Sequence, residues 1–257
     1  MDSENLQFTR EGDVGYLSLN RPHRLNAMSF ALLHDLVTAT AEIAASDLRS
    51  LIISGNGDVF SAGFDVEAFE SGILHESSPV VRYEAAELGG KMADAIENLP
   101  QVTVAAMHGH VVGGAVVLAS ACDLRVADSD TVFSIPEIDL GIPLTWGGLQ
   151  RLVRDVGPTI TKELVLTGRP FTAQEARTAG FLNAVTDPGG AMATAQELAE
   201  HIAAKPKYPV VTTKRHVAEI VSGDTSRDDA MGLIAGLDDP ESARARAAYL
   251  LGFTDPE

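Results

Sequence analysis

Two glycine-bearing stretches are the parts of this chain whose types and spacing could do chemistry. The first stretch is Val111-Val-Gly-Gly-Ala-Val-Val117. It follows Val102 to Met107, an apolar run that predicts a buried strand. It precedes Leu118-Ala-Ser-Ala-Cys122, small and apolar enough for a buried helix. Gly113-Gly114 is therefore expected where strand and loop pass into helix. The first amides of a helix have no partner inside it and carry the positive end of its dipole. Without a Cβ, glycine lets a ligand reach the bare backbone. Such a place holds an anion or a developing oxyanion; the same glycines would also serve close helix–strand packing. A second stretch, Phe60-Ser-Ala-Gly-Phe-Asp65, repeats that logic earlier in the chain.

These groups need elements to hold them. Leu6 to Thr9 and Val14 to Leu19 alternate as half-buried strands do, with hairpin residues Glu11-Gly-Asp13 between them. Ser29 is placed as the N-cap of a helix whose apolar residues include Leu32, Leu36 and Ile43. Leu51 to Ser54 predicts a short buried strand. Residues 71–82 have no clear period and predict a mobile surface loop that could act as a lid. A helix is expected from Tyr83 to Leu99. Strands are expected at 124–127 and 131–134, and helices near 148–156, 159–167 and 172–180. The last begins at Thr172 with Glu175 three residues on, a capping-box pattern. After Asp187-Pro-Gly-Gly190 only helices are expected, near 191–204, 209–222, 226–236 and 240–251. Strands alternating with helices, then a helical tail, predict an α/β fold with an α appendage. The division falls between residues 1–188 and 189–257.

Composition narrows the function. A 257-residue chain with 45% hydrophobic residues can bury a sizeable core. A net charge of −17 argues against nucleic acid or an anionic membrane surface as partner. No apolar run approaches membrane-spanning length. The acidic start Met1-Asp-Ser-Glu-Asn5 is unlike a secretory signal. The single cysteine, Cys122, sits in an apolar stretch and reads as an inert thiol. Together these features predict a cytoplasmic protein. The seven histidines, His108 and His110 among them, lack zinc-site spacing, so no metal is expected.

Five segments in one order resemble the crotonase (enoyl-CoA hydratase/isomerase) superfamily. They are Asn20-Arg-Pro-His-Arg-Leu-Asn-Ala27, Phe60-Ser-Ala-Gly-Phe-Asp65, Gly109-His-Val-Val-Gly-Gly114, Cys122-Asp-Leu-Arg125 and Pro136-Glu-Ile-Asp-Leu-Gly141. The resemblance covers about residues 5–190 and extends to Leu166-Thr-Gly168 and Ala176 to Asn183. It implies a spiral of ββα turns in residues 1–188. It also implies a C-terminal helical region, 189–257, that covers the pocket and packs in trimers, often paired into hexamers. Members bind acyl-CoA thioesters, with coenzyme A a part of the substrate and no separate cofactor. By register, the Phe64 and Gly114 amides form the oxyanion hole and Glu137 is the catalytic carboxylate. Substrate-binding positions are Arg24, Ala62, Gly63, Asp65, Gly113, Pro136 and Gly141, with Asp65 also placed as a helix cap. Lys205, Lys207 and Lys214 are further candidate cations for coenzyme A.

The sequence also departs from the hydratase pattern. Hydratases carry two glutamates, and the first position is Val117 here. A basic residue often follows the Phe64 motif by three places, and here it is Glu67. Adding water across a double bond needs the water held and a proton delivered, which two carboxylates do well. One carboxylate suffices to move a proton between carbons. An apolar residue at the first position with glutamate at the second resembles the Δ3,Δ2-enoyl-CoA isomerases, as does Glu137 to Ile142 followed by Trp146. Residues 142–146 hold no aspartate of the kind that dehalogenase members use. The expected function is thus isomerisation of a 3-enoyl-CoA to a 2-enoyl-CoA in fatty-acid metabolism. Two alternatives stand beside it: a hydratase that recruits Asp139 or Glu67, and a non-catalytic acyl-CoA-binding protein.

Overall fold

The computed structural model describes residues 3–68, 72–75, 78–224, 226 and 228–251. Its strands are β1 (Leu6–Glu11), β2 (Val14–Leu19), β3 (Ser50–Gly55), β4 (Val102–Met107), β5 (His110–Val112), β6 (Leu124–Asp128), β7 (Val132–Ser134), β8 (Phe171–Thr172) and β9 (Ala184–Thr186). Six of them form one sheet in the order β1-β2-β3-β4-β6-β9; the other three form a smaller sheet, β5-β7-β8. Within the large sheet only the β1–β2 pair is antiparallel.

The helices explain the spiral. They are α1 (Phe30–Ala44), α2 (Gly72–His75), α3 (Pro79–Glu97), α4 (Gly114–Ala121), α5 (Gly148–Thr167), α6 (Ala173–Thr178), α7 (Ala191–Ala203), α8 (Lys207–Val221), α9 (Asp229–Asp238) and α10 (Pro240–Leu251). Strand β4 goes to the large sheet, β5 to the small one, and α4 follows. Strands β6 and β7 then repeat the step before α5. Strand β3 does the same in reduced form, since Ser61 bridges Val111 before the chain reaches α3. The expected α/β spiral of ββα turns with helices at its C-terminal end is the fold of this chain.

Parallel strands covered on both faces read as unbroken apolar runs. Leu51 and Ile53 of β3 enter the main core with α1, α3 and α4, and Ile52 between them enters a second core on the opposite face. That second face is covered by α7 through Ala191, Ala195, Ala199 and Ala203. Small residues every fourth position let the helix lie close on the sheet. Asp128, at the end of β6, accepts hydrogen bonds from Gly189 N and Ala191 N, both at 2.8 Å, and so anchors the start of α7. The division expected between 188 and 189 thus does not separate α7 from the core. Helices α8, α9 and α10 carry no buried residue.

Other boundaries moved for local reasons. Helix α3 starts at Pro79, four residues before the expected Tyr83, because Ser78 caps it and Pro79 fits its first turn. Gly72–His75 is a helical turn. The loop expected over 71–82 is therefore mostly helical, with 71, 76 and 77 outside the described residues. The two helices expected at 148–156 and 159–167 run as α5, broken at Gly157 (φ 78°, ψ 165°) before Pro158. The capping box of Thr172 and Glu175 is formed, with both hydrogen bonds present.

Candidate active site

The two glycine-bearing stretches lie side by side. Ser61 N donates to His110 O and Val112 N donates to Ser61 O, each at 3.1 Å. Gly63 has φ 85°, and a methyl group there would overlap the Val112 carbonyl oxygen and stand 3.5 Å from Gly114 N. On its other edge this segment pairs with Met28, whose N donates to Gly63 O at 2.7 Å and whose O accepts from Asp65 N at 3.1 Å. In a parallel bridge those bonds flank the opposed residue. The N–H of Phe64 itself therefore turns away from Met28. Gly114 is the first residue of α4, and its amide is one that a helix leaves without an internal partner.

Gly113 holds this junction at φ 52° and ψ −114°, a backbone shape that excludes a side chain. A methyl there would also meet Glu137 Oε1 at 2.5 Å. The Glu137 carboxylate thus lies directly over the turn. Pro136 opens the short 3-10 helix Pro136–Ile138 that carries it. Glu137 Oε2 is buried and has no hydrogen-bond partner among the described residues. Burial raises its pKa above the ordinary carboxylate range, against a smaller lowering by a backbone hydrogen bond.

A cavity of 250 Å³ opens in front of these groups. Phe64, Gly114, Val117, Glu137 and Trp146 line it, with Phe30, Leu74, Ala85 and Ala86 across from them. Ile142, Pro143, Leu144 and Thr145 complete the wall, so Glu137 is its one titratable side chain among the described residues. A glycine turn at a helix start beside a largely apolar cavity, with one carboxylate of raised pKa, suits proton transfer next to a carbonyl. A larger cavity, 550 Å³, lies between α5 and α6 and shares no residue with this one.

The remaining candidates fall elsewhere. Asp65 is 6% exposed, pairs with Arg21 at 3.1 Å and accepts from Glu67 N at 3.3 Å. It braces the loop and caps the 3-10 turn that follows. Ala62 N donates to Leu25 O at 2.9 Å, which joins the Arg24 segment to the same loop. Arg24 pairs with Glu67, and with Asp65 at 3.8 Å. Asp139 stands against Gly168 at the end of α5, where a methyl would meet its Oδ2 at 2.7 Å. Neither Glu67 nor Asp139 lines the cavity. Gly141 is exposed at φ 71°, a turn position outside the lining. Lys214 donates to Gln101 O at 2.8 Å and Asp123 Oδ2 at 2.7 Å. Lys205 O accepts from Arg49, and Lys207 N donates to Glu241, itself paired with Arg49. Arg49, Gln101 and Asp123 precede β3, β4 and β6, so these three lysines sit at the strands' starting ends. The cavity lies at the opposite ends.

Sequence reasoning missed Phe30, Leu74, Ala85 and Ala86, whose apolar character signals only burial. It missed Arg21 and Asn26 as well. Asn26 is fully buried at φ 53°, and its side chain donates to Asn56 O (2.8 Å) and Val59 O (2.9 Å). An asparagine between turn residues is the one signal that could have marked it.

Comparison with known proteins agrees with this geometry. Residues 9–231 match the family described as enoyl-CoA hydratase/isomerase. The chain is 32% identical over 219 residues to the short-chain-enoyl-CoA hydratase of Clostridium acetobutylicum, covering 84% of this chain and 82% of that one. It is 32% identical over 246 residues to the mitochondrial Δ(3,5)-Δ(2,4)-dienoyl-CoA isomerase of Mus musculus, covering 90% and 73%. A crystal structure of enoyl-CoA hydratase from Mycobacterium smegmatis superposes with a TM-score of 0.86 at 26% identity, covering 96% of each chain. The chain belongs to the enoyl-CoA hydratase/isomerase family of enzymes, within the crotonase superfamily.

Proposed function

We propose that this enzyme acts on acyl-CoA thioesters and moves the double bond of a 3-enoyl-CoA into conjugation, giving the 2-enoyl-CoA. The observation that carries this reading is that, among the described residues, Glu137 is the one carboxylate lining a cavity that Val117 lines as well. The thioester carbonyl is held by the Phe64 and Gly114 amides, each donor lowering the enolate by a few kcal/mol. Glu137 takes a proton from C2, and the electrons of that C–H bond spread into the dienolate. The same carboxyl returns the proton to C4, leaving the double bond between C2 and C3. A raised pKa suits a group that must act first as base and then as acid. Coenzyme A enters as part of the substrate, and the cycle needs no further cofactor.

Glu137→Gln keeps size and hydrogen bonding but cannot take the proton. It is expected to lower isomerisation by about a thousandfold or more while substrate affinity stays within about twofold. A variant that isomerises like the parent would remove Glu137 from the chemistry. A parent that hydrates 2-enoyl-CoA faster than it isomerises 3-enoyl-CoA would overturn the single-carboxylate mechanism and favour the activity in the name of the Clostridium relative.

The same reading extends to assembly. Leu233 is 65% exposed, and Ile234, Leu237, Val217 and Ile220 are exposed with it on α8 and α9. An apolar surface of this kind supports a homotrimer, single or paired into a hexamer. Light scattering at micromolar concentration tests it, and a stable monomer would refute it.

A further inference from the structure

We propose that Trp146 sets the size of the acyl group: its indole is the wall at which the cavity stops, and the site takes short acyl chains. This rests on the acyl-CoA reading above and names the substrate class within it. The indole lies on two glycines from different helices. A methyl on Gly89 of α3 or on Gly114 of α4 would overlap ring atoms of Trp146. Two missing side chains thus make the seat for one large ring, and the ring occupies space that the fold would otherwise leave to a ligand.

The backbone of Trp146 is held as firmly as its ring. It has φ 56°, a left-handed shape that a bulky residue adopts only where its surroundings impose it. Arg151 supplies that constraint. Its Nη1 donates to the Trp146 carbonyl at 3.1 Å, and its Nη2 pairs with Asp94 at 2.7 Å and Glu97 at 2.6 Å, both on α3. The Arg151 side chain is only 6% exposed. Helix α3 therefore fixes Trp146 twice, through Gly89 under the ring and through the carboxylates that hold Arg151. On the cavity side the ring meets Phe64 edge-on at 5.7 Å, and Phe64 meets Phe30 edge-on at 5.4 Å. The resulting cavity of 250 Å³ is small beside the roughly 300–1,000 Å³ that encloses a drug-sized ligand.

The test uses saturated acyl-CoAs, which bind without reacting. Calorimetry measures butyryl-, octanoyl- and palmitoyl-CoA on the full chain and on Trp146→Ala, Trp146→Phe, Gly89→Ala and the Gly89→Ala/Trp146→Ala double variant. The parent is expected to bind butyryl-CoA more tightly than palmitoyl-CoA. Trp146→Ala is expected to raise the palmitoyl-to-butyryl affinity ratio by about tenfold or more, since each newly buried methylene adds about fourfold. Trp146→Phe falls between. Gly89→Ala pushes on the ring, so it changes the ratio in the parent and leaves it unchanged when Trp146 is already alanine. An unchanged ratio in Trp146→Ala, or a parent that prefers palmitoyl-CoA, overturns the wall while leaving the acyl-CoA reading intact. A parent that binds none of the three overturns both. Should Trp146→Ala fail to fold, the ratio in Gly89→Ala decides, and no change there counts against the wall.

Discussion

The turn at Gly113-Gly114 and the helices from Lys207 to Leu251 treat their own surfaces in opposite ways. At the turn, each surrounding group is fixed by another part of the same chain. Met28 holds the Phe64 segment, Ser134 O accepts from Gly113 N at 2.8 Å, and Glu137 lies over Gly113. In α8, α9 and α10 no residue is buried, and Met231, Leu233, Ile234 and Leu237 stand in solvent at 48% exposure or more. The lesson concerns completeness: the groups at the turn are held by contacts within the chain, while the tail leaves its apolar side chains exposed.

That difference is sharpest under substitution. Leu233→Glu with Leu237→Glu places two carboxylates on the exposed α9 surface. In an assembly that buries this surface, each unpaired charge costs about 3–5 kcal/mol. The expected result by sedimentation is a shift from oligomer to monomer, with the monomer still showing the parent's far-ultraviolet spectrum. Unchanged mass at equal concentration would show that α9 faces solvent in the working protein.

Gly113→Ala strikes the other region. The new side chain meets both a forbidden backbone shape and the Glu137 carboxylate. A destabilisation of about 2 kcal/mol is expected in urea unfolding. Turnover should fall by about a hundredfold, the cost of moving a reacting group by about 1 Å. Parent-like turnover would mean that the turn tolerates a Cβ and that Glu137 works from another position.

Glu137 also links the site to pH. Its folded-state pKa is raised by burial, so the folded protein binds this proton more tightly than the unfolded chain does. The stability it contributes is complete below the unfolded value of about 4.3 and is lost as pH rises through the folded value. Glu137→Gln removes that loss. The melting temperature of the variant should therefore exceed the parent's by a margin that grows from acid toward neutral pH and then levels. A margin that shrinks over this range would contradict the burial of the carboxylate. Activity should rise through the same window and then stay flat, since one base gives one limb; a bell-shaped profile would indicate a second group.

Much of the centre was legible in the sequence because its signals are local. Gly113-Gly114 between an apolar strand and a small-residue helix announces itself within a few residues, whereas Glu137 was marked only by the family resemblance. What stayed hidden depends on distant partners. Strands β5, β8 and β9 are two or three residues long, too short to show alternation, and exist only through pairing with other strands. Asp128 anchors α7 across 61 and 63 residues of chain. The alanines of α7 therefore looked like the start of a tail, though they cover the sheet. Ser78-Pro79 was a readable helix start obscured by the polar, glycine-containing stretch before it. Phe30 and Ala86 carry no mark that separates a cavity wall from a core residue.

The smallest expected effect concerns the cation of the Phe64 loop. Arg24 keeps 37% of its side chain exposed at the edge of the segment that holds Ala62, so it can meet a phosphate, unlike Lys214, whose ammonium is fixed by Asp123. Arg24 is not idle, however. Glu67 holds it by an ion pair that raises its pKa, and a phosphate must compete with that carboxylate. An exposed pair of this kind is weak, so the exchange is close to balanced and the gain from a phosphate is modest. Arg24→Ala should weaken acyl-CoA binding by about fivefold and flatten its salt dependence. Glu67→Gln removes the competitor and should strengthen binding by a few tenths of a kcal/mol. Calorimetry at two salt concentrations separates the cases: opposite signs for the two variants place Arg24 on the coenzyme, and unchanged affinity and salt dependence in Arg24→Ala would leave it as a brace for the loop alone.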